Sequence, residues 1–333
     1  MPDLAQDFEP KNKPDISIVI PTLRRVELLE RLLASLSDQK LSGCTFEVIV
    51  VDNSQGGDQP TRALCQSRRF EHVFDLVYLH QPAPGVNVAR NSGLIRARAD
   101  LVGFIDDDET LPEDWLARAL AINQSPSPEC FGGPYYPYYT DEKPAWIKDE
   151  YFVISLGPSP RWLVKDETLM GGNMVFKRLT LEELGGFAGI HDRSGHKSEY
   201  GDDTDLILRV AEKGARLWYD PQLYILHHAP LDRMTVRWFF RSRWLHGRAK
   251  AAIRYKDPAN RDDRSRLRII LSGLRVLGVK CLEICLAYLK LPFRNRQIYP
   301  FGQNYIVEVV CPQISGFSTA WHSLKLNLEK GSR

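Results

Sequence analysis

The chain has 333 residues, of which 43% are hydrophobic and 26% are charged, enough for one large globular domain or two ordinary ones. Its net charge of +2 provides no general attraction to nucleic acid, which is therefore excluded as an expected partner. The six scattered cysteines form no C-x-x-C pair and residues 1–14 lack the apolar core of a signal peptide, so we expect a cytoplasmic protein with a disordered N-terminus over 1–14.

Short apolar runs alternate with amphipathic segments through the first third of the chain. The expected strands are 16–20, 46–51, 77–79 and 101–105, and the expected helices are 26–37, 61–69 and 86–99. Apolar strands that alternate with helices indicate a mostly parallel α/β sheet with helices on both faces. Ligands bind at the carboxyl ends of the strands in such sheets, so we expect functional residues there.

The fourth expected strand ends in three consecutive aspartates, Asp106, Asp107 and Asp108. Adjacent carboxylates repel one another, and a divalent metal carried by an anionic substrate is one way to neutralise them, because hard cations prefer oxygen ligands. In an extended segment Asp106 and Asp108 would lie on the same side. For an isolated triplet, the alternative is a solvated acidic turn that caps the following helix.

Two common nucleotide-binding signatures are absent from the sequence. The first strand is followed by Pro21-Thr22-Leu23-Arg24-Arg25 instead of G-x-G-x-x-G, and the chain contains no G-x-x-x-x-G-K-[ST]. A dinucleotide-dependent dehydrogenase and a P-loop enzyme are therefore disfavoured.

Six segments carry a family resemblance when they are taken together. In chain order they are Ile18–Arg25 (IVIPTLRR), Val50–Ser54 (VVDNS), Gly85–Gly93 (GVNVARNSG), Phe104–Asp108 (FIDDD), Gly171–Phe176 (GGNMVF) and Gly201–Leu206 (GDDTDL). This series resembles the motifs of family 2 glycosyltransferases, which have the GT-A fold. In two departures from the family pattern, Arg24 stands where many members have Asn, and Asp202 stands where Glu is usual.

The resemblance implies an architecture and an activity. The expected fold is a GT-A-like, Rossmann-like α/β catalytic domain over 15–247, followed by a helical C-terminal extension over 248–333. The implied activity is an inverting transfer of a sugar from a nucleotide sugar, with a preference for uridine, to a glycan or lipid-linked acceptor. Mn²⁺ or Mg²⁺ would be the cofactor, and polysaccharide biosynthesis is the expected setting.

The resemblance also implies a role for each matching site residue. Asp203 would be the catalytic base, and Asp108 and His227 would be metal ligands. The implied donor-binding residues are Pro21, Thr22, Arg25, Asp52, Arg90, Asp106 and Asp107. The residues implied to contact the acceptor or the sugar are Gly171, Gly172, Asn173 and Asp202.

Two of the donor residues also have structural interpretations. Asp52 could accept a hydrogen bond from uracil, or it could form a turn with the residues that follow it. Arg90 could pair with a phosphate, hold Asp106 in place, or be a plain surface residue of its helix. The residue types alone leave these alternatives open.

The acids Asp202 and Asp203 precede apolar residues at helical spacing, so they are expected at a helix N-terminus, where negative charge is favoured. A capping role for one of them is the alternative to catalysis. Upstream, the pattern at 180–183 (TLEE) predicts a capping box, with Gly185 near the end of its helix.

The segment 223–228 predicts a late strand that carries His227 and His228. Imidazole is a common metal ligand. Because successive strand side chains point in opposite directions, only one of the two histidines should face the site. A structural role at the strand end is the alternative.

Residues 264–291 are rich in Leu and Ile, with basic residues interspersed. They predict an amphipathic helix that either lies on a membrane surface or packs against the catalytic domain or a partner chain. The stretch carries too many charges for a membrane span. The first alternative would place the protein peripherally at the inner face of a membrane.

Three rival functions remain at this stage. A nucleotidyltransferase would need a basic, Gly-rich phosphate loop after the first strand, and the sequence has none there. A non-catalytic nucleotide-sugar-binding module should lack the base that Asp203 provides. A membrane-associated scaffold would make the C-terminal helix the functional part.

Overall fold

The strands and helices of the α/β part begin and end within a few residues of their expected positions. The computed structural model of the protein describes residues 13–41, 43–164, 167–187, 206–207, 209–210, 212–256 and 266–329. The first four strands are β1 Ile16–Thr22, β2 Phe46–Asp52, β3 Asp75–His80 and β4 Leu101–Phe104. The helices between them are α1 Val26–Ser37, α2 Gln59–Gln66 and α3 Val86–Arg96.

The chain then adds shorter strands and two more helices. The strands are β5 Glu109–Thr110, β6 Cys130–Gly132, β7 Tyr135–Tyr138, β8 Arg161–Trp162, β9 Met174–Lys177, β10 Leu217–Tyr219 and β11 Ile225–His228. The helices are α4 Trp115–Gln124 and α5 Arg178–Leu184. The predicted late strand is confirmed as β11.

The main sheet has eight strands in the order β3-β2-β1-β4-β9-β6-β10-β8, and a smaller sheet has the order β5-β11-β7. β1 pairs in parallel with β2 and β4, and β2 pairs in parallel with β3. β9 runs antiparallel between β4 and β6. The expected GT-A-like, mostly parallel sheet is confirmed, and the antiparallel strand at its centre is a feature that the sequence did not predict.

Helices cover both faces of the main sheet, and alternate residues of β1 show why. Ile16, Ile18 and Ile20 pack in a core with leucines of α1 and with Trp115. Val19, between them, packs on the other side in a core that includes Ala89 of α3. Every residue of β1 and β2 is buried, as expected for strands covered on both faces.

Helix α5 starts earlier than its capping pattern predicted. The helix begins at Arg178, directly after β9, so Thr180 lies inside it and the predicted capping box is wrong. The Arg178 N–H instead donates at 2.7 Å to the carbonyl of Asp100, the residue before β4, so this N–H at the start of the helix already has a partner. The predicted end is confirmed: Gly185 caps the helix at φ 72°, a conformation that favours glycine.

The described residues divide into two compact units. The first comprises 13–136, 154–187 and 206–227, and the second comprises 137–153 and 228–329. The helices of the second unit are α6 Val236–Lys256, α7 Arg266–Lys290, α8 Gly302–Tyr305 and α9 Cys311–Glu329, with a π-helical turn at Ile306–Val310. The domain boundary expected at residue 247 falls inside α6, and the second unit begins before that helix.

Helix α9 packs against both α6 and α7. The Ser318 hydroxyl of α9 donates to the Trp244 carbonyl of α6 at 2.6 Å. Lys280 of α7 donates to the side-chain oxygen of Gln313 on α9 at 3.2 Å. Among the helices of the described ranges, none combines the length and the apolar composition needed to cross a membrane.

Candidate active site

The carboxyl ends of three parallel strands lie side by side and position the candidate site. In the register of the sheet, Thr22 at the end of β1 lies opposite Asp52 at the end of β2. Val19 of β1 lies opposite Phe104, the last residue of β4. The loops after β1, β2 and β4 therefore emerge at one edge of the sheet, which is where ligands bind in open α/β folds.

Asp107 is buried and is held by the loop after β1. Its carboxylate accepts a hydrogen bond from the Thr22 hydroxyl at 2.7 Å and another from Arg25 Nη1 at 3.0 Å. Burial raises the pKa of Asp107 to about 6, because the contacts with Arg25 and Thr22 only partly offset the desolvation of its charge. Thr22, Arg25 and Asp107, all predicted donor residues, thus meet in one cluster.

Asp108 lies between a guanidinium and an imidazole. Arg25 Nη1 is 3.4 Å from Asp108 Oδ2, and His227 Nε2 is 3.5 Å from Asp108 Oδ1. His227 reaches this position because β11 pairs with β5, which places His227 opposite Glu109. The structure therefore brings the two predicted metal ligands together, and His228, the next residue, contacts Thr140 of the second unit instead.

Asp106 is held by a buried arginine. Arg90 Nη2 donates to Asp106 Oδ1 at 2.9 Å, and the Arg90 side chain is only 3% exposed. Its guanidinium also lies 5.4 Å from the centre of the Phe187 ring. The interpretation of Arg90 as a plain surface residue is therefore wrong, and the alternative in which it holds Asp106 describes the observed contact.

The alternation argument for the aspartates fails because the strand ends at Phe104. Residues 107 and 108 form a turn, so the period of an extended segment does not apply to them. As a result Asp107 and Asp108 contact the same guanidinium, that of Arg25, while Asp106 contacts Arg90.

Glu109 is a site residue that the sequence analysis missed. It is fully buried, and its Oε2 accepts a hydrogen bond from the Asp106 N–H at 2.9 Å. Within the described part of the chain, its Oε1 has no hydrogen-bond partner. Desolvation raises its pKa well above the usual value, and the neighbouring Asp106 and Asp108 add to that effect. A fourth acid directly after the triplet was the available signal, but nothing in the sequence shows that it is buried.

The loop before β9 closes over these carboxylates. A Cβ on Gly172 would lie 2.2 Å from Glu109 Oε1 and 2.9 Å from Asp106 Oδ2, so a larger residue there would have to displace these carboxylates. The Gly172 N–H donates to the Tyr135 hydroxyl at 2.6 Å. The predicted acceptor or sugar segment is thus in contact with the acidic loop.

Asn173 has structural partners for both ends of its buried amide. It donates to the Leu223 carbonyl at 2.7 Å and accepts from the Trp115 indole N–H at 3.2 Å. This geometry ties the start of β9 to α4 and to the loop before β11. Contact of Asn173 with a sugar or an acceptor stays a prediction.

Asp52 is buried, and its carboxylate already accepts three hydrogen bonds. The donors are the Ser54 N–H at 2.9 Å, the Asp58 N–H at 2.6 Å and the Tyr78 hydroxyl at 2.8 Å. Burial alone would raise the pKa of Asp52, but these hydrogen bonds outweigh it and hold the pKa below its usual value. The turn formed with Ser54 matches the structural alternative for this residue, and its contact with a nucleobase stays a prediction.

The loop after β1 contains one departure from the family pattern, Arg24. Pro21 is still part of β1, and Arg24 has φ 54°, in the left-handed region. Asn tolerates that conformation better than most other residues, which gives a physical reason for Asn at this position in other members. In this chain Arg24 adopts it, and the next residue, Arg25, is placed beside Asp107 and Asp108.

The predicted catalytic base Asp203 and its neighbour Asp202 lie outside the described residues. The apolar residues that follow them are described: Leu206, Ile207 and Val210 are helical and buried. They pack in the core that contains Val19 and Phe104.

The donor set of the site fits a hard divalent cation. Carboxylate oxygens of Asp106 and Asp108, the His227 imidazole and the unpaired Glu109 Oε1 are the kinds of atom that Mn²⁺ and Mg²⁺ bind. No group of three or more such side chains within the described ranges is already arranged around one point. Arg25 provides a positive charge beside Asp107 and Asp108.

Comparison with known proteins gives a family match. A model of the family described as "Glycosyl transferase family 2" matches residues 17–185, which contain β2 to β9 and all of β1 except its first residue. The chain is 30% identical over 249 residues to the succinoglycan biosynthesis protein ExoM of Rhizobium meliloti, covering 73% of this chain and 77% of that protein. It is 24% identical over 260 residues to a glucosyl-dolichyl phosphate glucuronosyltransferase of Haloferax volcanii, covering 75% and 80%.

A solved structure gives a match in fold. The mannosyltransferase PcManGT of Pyrobaculum calidifontis, determined with GDP-Man and Mn²⁺, superposes with a TM-score of 0.52 at 20% identity. The match covers 98% of this chain and 78% of that one.

Proposed function

This chain belongs to glycosyl transferase family 2 and is a glycosyltransferase, and from that premise we propose that it transfers a sugar from a nucleotide-sugar donor to a glycan or lipid-linked acceptor with inversion of configuration. The observation that carries the proposal is the group of aspartates after β4, held by Arg25 and Arg90 and closed by Gly172. The names of the relatives support the acceptor class, since one is a polysaccharide biosynthesis protein and another acts on a dolichyl phosphate sugar.

In this proposal each charged residue of the site has a defined task. Asp108 and His227 would hold a divalent metal, Mn²⁺ or Mg²⁺, with Asp106 addressing the ribose or a metal-bound water. When bound, the metal supplies positive charge that stabilises the leaving diphosphate. Arg25, which is half exposed, would turn from the aspartates toward a donor phosphate.

Buried groups would keep the acidic loop in place while the donor binds. Arg90 holds Asp106 from beneath, and Glu109 fixes the Asp106 N–H. Thr22 holds Asp107. These contacts restrict the rotamers of the aspartates before a donor arrives, which lowers the entropy lost on binding.

Asp203 is the proposed general base. Inversion requires the acceptor hydroxyl to attack from the side opposite to the leaving diphosphate, and a carboxylate within hydrogen-bond reach would take its proton. Asp203→Asn keeps the size of the side chain and could still cap a helix. We expect turnover to fall by roughly 10²–10⁴-fold while donor affinity stays unchanged. Near-normal turnover would transfer this role to another residue, with Asp202 the first to test.

A uridine nucleotide is the proposed donor. A direct contact between Asp52 and uracil would require the carboxylate to exchange one of its three present hydrogen bonds. The backbone of 53–58, which Asp52 organises, is the alternative surface for the base. Competition by UDP, GDP and dTDP decides the preference, and tighter binding of GDP than of UDP would contradict it.

The direct test is a panel of nucleotide sugars incubated with the full chain in Mn²⁺, Mg²⁺ or EDTA. We expect release of nucleoside diphosphate with a UDP-sugar and a divalent ion, and NMR of a product should show an inverted anomeric carbon. Equal release in EDTA would contradict the metal requirement. Binding without release for every donor and acceptor would favour the rival interpretation, a non-catalytic binding module.

A further inference from the structure

Helix α7 of the second unit packs on α9 through only one of its faces. Leu277 and Ala287 are buried, and a Cβ on Gly273 would lie 3.1 Å from the Leu324 side chain of α9. Lys280 and Glu283 pair with each other at 2.7 Å, and Lys280 also donates to Gln313 of α9. Lys280 and Glu283, two of the charged residues of this helix, thus form an ion pair on the side that faces α9.

The opposite face of α7 is apolar and exposed. Leu271, Leu274, Leu282 and Leu289 recur at helical spacing on it, and Phe293 follows just beyond the helix end. Leu289 is 68% exposed and Phe293 is 87% exposed. Single exposed apolar side chains are ordinary, but a continuous row of them on one helix marks an interaction surface.

Basic residues accompany this apolar row. Between residues 270 and 301 the basic residues are Arg275, Lys280, Lys290, Arg294 and Arg296, and the acidic residue is Glu283. Because Glu283 already pairs with Lys280, it does not neutralise the others. Over 270–301 this surface therefore combines apolar side chains with a net positive charge, which is the composition that binds anionic lipid headgroups.

We propose that the exposed face of α7, continued by Phe293, is a membrane-docking face that lies in the interfacial layer of an anionic bilayer. A second copy of the chain is a poorer occupant, because a twofold contact through this face would bring two sets of basic residues together. The exposed apolar row runs along one side of α7, so the helix would lie in the membrane plane. The inference concerns binding alone and stands whether or not the proposed sugar transfer is correct.

An open, mostly apolar cavity of about 390 Å³ borders the same helix. It is lined by Tyr288 of α7, by Phe240, Arg241 and Trp244 of α6, and by Ile314 of α9. Most of its lining is apolar, so it adds apolar surface to this side of the helical unit. The cavity thus supports a lipid surface as the occupant of this side of the helical unit.

The test is co-sedimentation of the full chain with phosphatidylcholine vesicles that contain or lack phosphatidylglycerol. We expect the wild type to sediment with the anionic vesicles, and Leu289→Glu with Phe293→Glu to lower the partition coefficient by about tenfold or more. Leu179→Glu is the matched control, because Leu179 is 65% exposed on α5 of the other unit and should have no effect. Lys290→Glu with Arg296→Glu should weaken binding by roughly fivefold for each positive charge lost.

Three outcomes would overturn the proposal. The wild type could fail to sediment with anionic vesicles, or the Leu289→Glu/Phe293→Glu protein could sediment as the wild type does. A wild-type dimer in light scattering that this variant dissociates would assign the face to a second copy of the chain. If the variant loses its helical circular dichroism, the Lys290→Glu/Arg296→Glu protein decides alone, because both side chains are exposed.

Discussion

Asp107 and Asp108 contact one guanidinium, that of Arg25, so among the described residues two carboxylates share one arginine. The sequence predicted this charge imbalance, since three consecutive aspartates need a counter-charge wherever they lie. It could not predict that Arg25 supplies part of it, because the direction of that side chain depends on the unusual φ at Arg24.

The metal ligand role of Asp108 is tested by Asp108→Asn. The variant keeps the side-chain size and leaves Arg25 paired with Asp107, so we expect it to fold. Affinity for the donor in Mn²⁺ should fall by roughly tenfold or more, to the level of the wild type in EDTA. Titration calorimetry measures the donor affinity in Mn²⁺ and in EDTA. Asp114→Asn is the control, because Asp114 is exposed at the start of α4. A Mn²⁺-dependent affinity equal to that of the wild type would exclude Asp108 as a ligand.

The raised pKa of Asp107 predicts how stability depends on pH. Its ordinary value is 3.8 and its folded value is about 6, so the folded state binds the proton more tightly than the unfolded chain. The free energy of unfolding should therefore fall as pH rises from about 4 to about 6, by up to roughly 3 kcal/mol. Asn carries no proton that titrates in this range, so the Asp107→Asn protein should not lose this free energy of unfolding. Its stability relative to the wild type should therefore increase from about pH 4 to about pH 6.

Urea unfolding in EDTA at pH 4, 5, 6 and 7 measures that difference. The exposed Asp114→Asn protein should follow the wild type at every pH. Parallel curves for the wild type and Asp107→Asn would show that Asp107 titrates normally.

At the scale of elements, the contact between the loop before β9 and the loop after β4 decides the shape of the site. Gly172→Ala would place a methyl group 2.2 Å from Glu109 Oε1. We expect this overpacking to lower stability by roughly 1–3 kcal/mol and to weaken metal-dependent donor binding, because Asp106 must move as well. Gly278→Ala is the matched control, since a Cβ there has no atom within 4 Å and Gly278 lies on α7, outside the candidate site. Thermal unfolding and donor titration compare the two, and equal behaviour would mean that the loops separate easily.

Most elements were predictable because strand and helix periods are local properties of the sequence. Helix α1 was predicted at its observed bounds, since its leucines define a single buried face. The antiparallel insertion of β9 was not predictable, because a four-residue apolar strand carries no information about its direction or its neighbours. The contact between His227 and Asp108 was not predictable for the same reason. It depends on the pairing of β11 with the two-residue strand β5, which the local sequence does not specify.

At the scale of the whole molecule, the two edges of the main sheet differ. The candidate site lies at the carboxyl ends of the strands, and a buried ion-pair network lies at their amino ends. Glu47 lies at the start of β2, away from the candidate site, and is fully buried. It accepts hydrogen bonds from the Ser17 hydroxyl at 2.6 Å and from Arg98 Nε at 2.7 Å, and Arg98 also reaches Asp75 at 2.8 Å. This network joins the amino ends of β1, β2 and β3.

Arg98→Leu tests the separation of the two ends. The change leaves the buried Glu47 carboxylate without its counter-charge and should lower the free energy of unfolding by about 3 kcal/mol. Donor binding at low temperature should stay unchanged. Lys40→Leu, which breaks the exposed pair with Glu113, should change stability by about 1 kcal/mol or less. A loss of donor binding in folded Arg98→Leu would show that the two ends are coupled.

The pairing pattern of the main sheet has a consequence for how the protein folds. Residues 16–80 contain three adjacent parallel strands and the helices between them, so this part of the sheet can assemble from segments that are close in sequence. The rest of the sheet depends on segments that are far apart in sequence, since Leu101 pairs with Lys177 and Cys130 pairs with Leu217. Loop closure over such separations is slow, so formation of these long-range strand pairs should limit the folding rate. During synthesis the first three strands could fold on the ribosome, while the central strands wait for β10 to emerge.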